Sequence, residues 1–317
     1  MLVTDRRSVL AGLAALPLAP AIGAAPPPER FPLWPGPPPG SPSPPVADEV
    51  VKRSPTGGPD DIAWPHVGTP MLTVCPAPRP TGAAVLLCPG GGFARVATGR
   101  NPGGVARWFA SRGVTAFELL YRLPHDGWTA GADAPLQDAQ RAMRLIRARA
   151  TRWGIDPANV GAMGFSAGGH VAGRLASRSS LKVYDPVDAA DALPARPLVA
   201  GLLFPVISML PPVAHAQSRR ELLGPAPDEA TCIRYSVERD LPADMPPTML
   251  GQAADDQVVP VANRIAMFGA LKANATPAEL YIIEKGGHGA ALFAPDGQPN
   301  LWLQRFALFA AAHGLRI

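Results

Sequence analysis

The chain has 317 residues, 47% of them hydrophobic, and a formal net charge of +4. That composition supplies a core of ordinary size and excludes global disorder. Only four of the 29 basic residues are lysines and the arginines are scattered. No basic stripe tracks a phosphate backbone, so nucleic acid is not an expected partner.

Read from the amino terminus, "TDRRSVLAGLAALPLAPAIGAA" has the form of an export leader. The pair Arg6-Arg7 precedes an apolar run and then small residues, the pattern read by the Tat export machinery. Pro17 and Pro20 break the run, which makes it a poor membrane span. Residues 1–24 are therefore expected to be a signal peptide, cleaved after Ala21 or Ala24, with a periplasmic or secreted product. Eleven prolines then fall between Pro26 and Pro45. Proline lacks an amide donor, so residues 25–47 are read as an extended arm rather than helix or central strand. "FPLWPG" within it carries two aromatics expected to pack onto the domain surface.

Residues 48–317 alternate short apolar runs with amphipathic ones. "PMLTVCPA", "AAVLLCPG", "VTAFELLYRL", "NVGAMGF", "PLVAGLLFPVI", "PPTMLGQAA" and "AELYIIEKGG" read as strands. "GGVARWFASRG", "PLQDAQRAMRLIRARATRWG", "AGGHVAGRLAS", "VANRIAMFGALKANA" and "LWLQRFALFAAAHG" read as helices. Strands separated by helices imply βαβ units, hence an α/β fold with a mostly parallel sheet and helices on both faces. Residues 207–246 break the rhythm and are read as a small insertion over the active site. Asp138, Arg141 and Arg144 share helical spacing and are read as a salt-bridged helix face. Cys75, Cys88 and Cys232 are expected to be unpaired and buried. They show no zinc-like spacing with histidine, and neither a metal nor an organic cofactor is expected.

The stretch "GAMGFSAGGHVAG" places Ser166 between Gly164 and Gly168, where a strand turns into a helix. G-x-S-x-G in that context is the pattern of a nucleophile elbow. A serine needs a base, and the base needs a carboxylate. Both follow at strand ends in the order this architecture uses: "ADDQVVP" after one strand and "GGHGAAL" after the next. His288 is the expected base and Asp256 the expected acid, with Asp255 as its rival on the same loop. The amide of Ala167 and amides of the glycine loop "CPGGGF" are the expected oxyanion donors, with Gly91 and Gly92 chosen. Phe93 and His215 are assigned to substrate contact. His170, one turn after Ser166, is read as structural. His66, His125 and His313 are read as surface or packing residues. Trp128 and Phe293 are given packing roles. A phosphate-loop reading of the glycine loop fails, because the required lysine is missing.

"CPGGGF", "YRLP", "DAQRAMRLIRARATRWGIDPANVGAMGFSAGGHVAG", "FPVISM", "AADDQVVPVANR" and "EKGGHGAALF" together resemble the α/β-hydrolase esterases grouped with bacterial acetylxylan esterases and feruloyl-esterase-like enzymes. The resemblance runs from about Trp34 to the carboxyl terminus and implies the α/β-hydrolase fold. It implies Ser166, Asp256 and His288 as a catalytic triad and Gly91, Gly92 and Ala167 as the oxyanion site. The implied substrate is a carbohydrate or small-molecule ester carrying a short acyl group. Pro89 stands where hormone-sensitive-lipase relatives have histidine, which points toward the carbohydrate esterases. The rival activities are a general carboxylesterase or an arylformamidase-like hydrolase. The rival of another class is an inactive binding module on the same fold.

Overall fold

The computed structural model describes residues 29–289 and 301–317. The expected leader, residues 1–24, lies outside the described residues, as does Phe293. The amino-terminal part contributes β1 (Glu29–Pro32), β2 (Glu49–Lys52), β3 (Ile62–His66), β4 (Met71–Cys75) and β5 (Ala84–Cys88). Helix α1 (Gly104–Ala110), strand β6 (Thr115–Leu120), helix α2 (Ala134–Ala148), strand β7 (Val160–Phe165) and helix α3 (Ala167–Ser177) follow. Then come β8 (Ala200–Leu203), α4 (Ala216–Leu223), α5 (Glu229–Tyr235), β9 (Thr248–Ala253), α6 (Ala262–Ala273), β10 (Ala278–Ile283) and α7 (Leu301–Ala312).

Eight strands form one sheet in the order β1-β4-β6-β5-β7-β8-β9-β10, while β2 and β3 pair separately. From β6 to β10 every neighbouring pair is parallel; β4 is antiparallel to both β1 and β6. Parallel strands covered on both faces read as continuous apolar runs rather than alternating ones. β5, β6 and β7 are buried at every position, which is why no solvent face could be read from them. Two apolar layers flank the sheet. One gathers Leu136, Met143 and Ile146 of α2, Val171 and Leu175 of α3, and Met267 and Leu271 of α6. The other gathers Trp108 and Phe109 of α1 with Trp302, Phe306 and Phe309 of α7. Each such large side chain contributes about 1.5–3 kcal/mol when fully buried.

Two local expectations change. The proline-rich stretch supplies an edge strand: β1 pairs β4 from Glu29↔Val74 to Pro32↔Met71. A proline is tolerated there because its missing donor faces away from the ladder. Leu33 and Trp34, just beyond, are buried in the core. The second change concerns α2. Its expected salt-bridged face is present but lies inside the molecule, since thirteen of its fifteen residues are buried. Residues 184–196 fold across that face and supply the partners. Arg141 donates to Asp188 at 2.7 Å and lies 3.1 Å from Asp191, and Arg144 donates to the Leu193 carbonyl at 3.0 Å.

The deepest charge pair is Asp138 with Arg122, both 0% exposed. Asp138 Oδ1 accepts from Trp34 Nε1 at 2.8 Å, and Oδ2 accepts from the Arg122 amide at 2.8 Å. The Arg122 Nε–H reaches both oxygens at 3.0 Å. This network ties the arm, the strand-end after β6, and α2 together. Removing one partner strands a buried charge, which typically costs about 3–5 kcal/mol. Asp138→Ala is therefore expected to lower the urea midpoint of unfolding by that equivalent; a variant as stable as the parent would show that the pair is dispensable.

Candidate active site

The site begins with a backbone constraint. β7 ends at Phe165 and α3 begins at Ala167, leaving one residue for the turn. Ser166 takes φ 54° and ψ −122°, a conformation that side-chain-bearing residues rarely adopt. The strain is held from both sides: the Ser166 amide donates to the Leu203 carbonyl at 3.1 Å, and the Val206 amide donates to the Ser166 carbonyl at 3.0 Å. Gly168 is required by close approach, since a Cβ there would sit 2.1 Å from the Cys88 carbonyl oxygen. The elbow thus lifts the serine hydroxyl at the carboxyl end of the sheet.

Two adjacent parallel strands bring the remaining groups to the same edge. Asp256 follows β9 and His288 follows β10. Ser166 Oγ lies 2.9 Å from His288 Nε2, and His288 Nδ1 lies 2.9 Å from Asp256 Oδ2. The Asp256 carboxylate is fixed further. Oδ1 accepts from the Val258 and Val259 amides at 2.8 and 3.0 Å, and Oδ2 accepts from Gln252 Nε2 at 2.6 Å. Burial works to raise its pKa, but the hydrogen bonds from His288, Val259 and Val258 outweigh that and hold it below the usual carboxylate value. Asp255 has a different task. Its Oδ1 accepts from the Gly287 amide at 2.8 Å, so it shapes the loop that carries the histidine.

The glycine loop after β5 lies beside the serine. Gly90, Gly91 and Gly92 line the same cleft as Ser166 and His288. Gly91 has φ +138°, and a Cβ there would meet the Arg95 carbonyl at 2.0 Å. Ala167 is buried at the head of α3, directly after Ser166. The loop is anchored where Pro89 replaces the more usual histidine: the Tyr121 hydroxyl donates to the Pro89 carbonyl at 2.9 Å.

Phe93 departs from its expected role. It is 0% exposed and absent from the cleft lining; its ring packs edge-on against His170 and Tyr121. It supports the loop from beneath because φ +63° turns its side chain into the core. His215 does line the cleft, and Nδ1 accepts from the Ser218 amide at the head of α4. Burial first, and the neighbouring His288 second, lower its pKa. His170 is buried, donates Nε2–H to the Tyr235 carbonyl at 2.7 Å, and is pushed down to about 3 by burial, which fits a structural residue. Trp128 is buried away from the cleft, and Cys75, Cys88 and Cys232 are unpaired and buried.

Several site residues carried no sequence signal. Phe204, at the end of β8, sets its ring 5.1 Å from that of His288 and lines the cleft. Gln252 looked like one more strand residue. Arg53, Asp60 and Glu118 line the far end of the cleft, whose volume is about 610 Å³. Glu118 is 9% exposed, and both its oxygens lie 3.1 Å from the Gly103 amide. Burial pushes its pKa up to about 7.

Comparison with known proteins fits this geometry. The BD-FAE family model matches residues 77–190. An acetylxylan esterase of Xylanibacter ruminicola is 32% identical over 221 residues, 68% of this chain and 43% of that protein. Endo-1,4-beta-xylanase B of Butyrivibrio fibrisolvens is 35% identical over 207 residues, 65% of this chain and 32% of that protein. The chain thus spans less than half the length of these curated relatives. The crystal structure of an acetyl ester-xyloside bifunctional hydrolase from Caldicellulosiruptor lactoaceticus superposes with a TM-score of 0.71 at 29% identity. That match covers 92% of this chain and 99% of the other.

Glu118 gives the site a pH signature. The folded protein keeps its proton up to about pH 7, whereas an unfolded chain releases it near 4.5. Its contribution to stability is full below the lower value and is lost as pH rises to the higher one. Over that window the loss is on the order of 3 kcal/mol. Glu118→Gln is expected to abolish this slope, so that the variant gains on the parent as pH rises from 4.5 to 8; parallel stability curves would refute the assignment.

Proposed function

We propose that this chain, an α/β-hydrolase homologous to acetylxylan esterase and built like other carbohydrate esterases, is an exported serine esterase that removes short acyl groups, acetyl above all, from carbohydrate. The observation that carries this reading is the unbroken relay from Ser166 Oγ through His288 to Asp256, opening onto the cleft. His288 Nε2 accepts the serine proton as Oγ attacks the ester carbonyl. Asp256 holds the Nδ1–H and stabilises the imidazolium that forms. The amides of Ala167, Gly91 and Gly92 receive the oxyanion, each such donor being worth roughly 10²–10³ in rate. His288 then protonates the departing alcohol. Water, deprotonated by the same nitrogen, releases the acid from the acyl-enzyme.

The relatives supply the substrate class. One is named an acetylxylan esterase and another structure an acetyl ester-xyloside hydrolase. The cleft offers Arg53, Asp60, Arg95 and Gln217, groups that suit sugar hydroxyls, beside the apolar Ile62, Leu87 and Val258. The twin-arginine leader supports export of the folded enzyme.

Turnover of p-nitrophenyl acetate tests the mechanism. Ser166→Ala and His288→Ala are expected to lose at least about 10³-fold in kcat with near-ultraviolet dichroism unchanged. Asp256→Asn is expected to cost far more than Asp255→Asn. A Ser166→Ala enzyme keeping a tenth of parental turnover would end the proposal.

Substrate preference is a separate measurement. The ratio kcat/KM across p-nitrophenyl esters from C2 to C10 is expected to peak at C2 or C4, with acetate released from acetylated xylan. A peak at C6 or above, with no acetate from any polysaccharide, would leave a general carboxylesterase instead.

A further inference from the structure

Away from the cleft, the chain gathers two histidines and an aspartate that share neither a helix nor a short motif. His66 closes β3, and His125 and Asp126 belong to a 3-10 turn over Pro124–Asp126. Asp126 Oδ1 lies 2.6 Å from His66 Nδ1 and 3.6 Å from His125 Nε2. The ligand atoms of the three residues all fall within 4.8 Å of one another. The Asp126 side chain is 1% exposed, while those of His66 and His125 are 46% and 28% exposed, so the cluster has a fixed floor and a solvent entrance. None of the three lines the cleft that holds Ser166.

We propose that His66 Nδ1, His125 Nε2 and Asp126 Oδ1 form a binding site for one zinc-class divalent cation, which clamps the β2–β3 hairpin to the segment after β6. The donor set decides the ion class. Two imidazoles with one carboxylate suit zinc and its first-row neighbours, whereas calcium and magnesium require oxygen ligands. The donors are also oriented. Asp126 Oδ2 accepts from the Val67 amide at 3.1 Å, which leaves Oδ1 turned toward the histidines. Glu49, which pairs with His66 across the hairpin, places Oε2 3.7 Å from His66 Nε2. A carboxylate behind an imidazole is the arrangement that fixes the ring of a metal-bound histidine. His125 Nε2–H donates to the Pro65 carbonyl at 3.0 Å, so the cation would replace that proton and take the nitrogen from the carbonyl.

The spacing fits. Donors bound to one tetrahedral zinc stand roughly 3.4 Å apart. The 3.6 Å pair already meets that figure. The 2.6 Å pair is a hydrogen bond whose proton the cation would replace, and it needs to open by about 0.8 Å. The consequence reaches the catalytic side. Arg53, Asp60 and Ile62, on or between β2 and β3, line the cleft. Fixing the hairpin therefore fixes one wall of that cleft, without any part for the ion in the chemistry.

The test uses the full-length protein stripped with EDTA, then dialysed against zinc chloride and melted. One zinc per chain is expected, with a rise in Tm of about 5 °C when free zinc exceeds Kd a hundredfold. His66→Gln and His125→Gln, both at solvent-exposed rings, are expected to weaken zinc binding at least tenfold. Their metal-free p-nitrophenyl acetate turnover should stay at the parental value. His288→Ala, which removes the imidazole of the cleft, is expected to retain the full zinc stoichiometry. The proposal falls if the parent binds no stoichiometric zinc, if both glutamine variants bind it as tightly as the parent, or if His288→Ala loses it. Cobalt in place of zinc is expected to show absorption bands of a low-coordinate nitrogen and oxygen site in the parent and to lose them in His125→Gln; bands unchanged in that variant would also overturn the site.

Discussion

The one-residue turn at Ser166 is the constraint on which the rest of the site depends. A strand that passes into a helix with no intervening loop forces its middle residue out of the ordinary backbone regions. The strain at φ 54° and ψ −122° persists because the neighbouring structure over-determines it. β8 and the segment just past it supply hydrogen bonds on both sides, through the Leu203 carbonyl and the Val206 amide. Gly168 lets the first turn of α3 press against the β5 carbonyls. The fold is thus arranged about Ser166: β5 brings the glycine loop beside it, and β8 with the segment after it holds its backbone. A looser turn would free the serine hydroxyl from His288.

A second layer of interactions fixes the histidine and its acid. Asp256 faces His288 through Oδ2, while its other oxygen is occupied by two backbone amides. Gln252 grips the same carboxylate and also donates to the Val259 carbonyl at 2.6 Å, closing the loop on itself. Phe204 packs against the imidazole from the β8 side. The result is a carboxylate that stays ionised despite burial and an imidazole whose two nitrogens have distinct partners. That division of roles is what general-base catalysis requires of a histidine.

Much of this was legible in the sequence. The strand-turn-helix around Ser166, the order of Asp256 and His288, and the parallel α/β architecture follow from local patterns whose chemistry is short-range. What escaped was contact across long separations. Phe93 follows the loop glycines and read as a substrate residue, but a positive φ turned its ring into the core. Asp138 and Arg141 read as a salt-bridged face, and its burial escaped because nothing local announces that residues 184–196 will cover α2. β1 was hidden by proline density, although an edge strand has room for such residues. His66 and His125 are distant in sequence and meet only because the β2–β3 hairpin folds back against the turn after β6. Gln252, Glu118 and Phe204 sit on or just past buried strands, where apolar periodicity leaves a polar or aromatic substitution without a visible purpose.

Several local rules are broken near the sheet edge that carries Ser166. Glu118 is a carboxyl group buried at the cleft with a proton it would release in water. Arg264, on α6 after the Asp256 loop, is fully buried, and its three guanidinium nitrogens have no hydrogen-bond partner among the described residues. Burial pushes it down to about 9, against the pull of the Asp256 charge. Ser166 adds backbone strain. By contrast, under α2 Arg122 pairs with Asp138 and Arg141 with Asp188 and Asp191, while the buried Arg147 donates only to backbone carbonyls. A fold selected only for stability would pair or remove the first group as it pairs the second. Local inconsistency of this kind is expected where geometry serves reaction rather than folding.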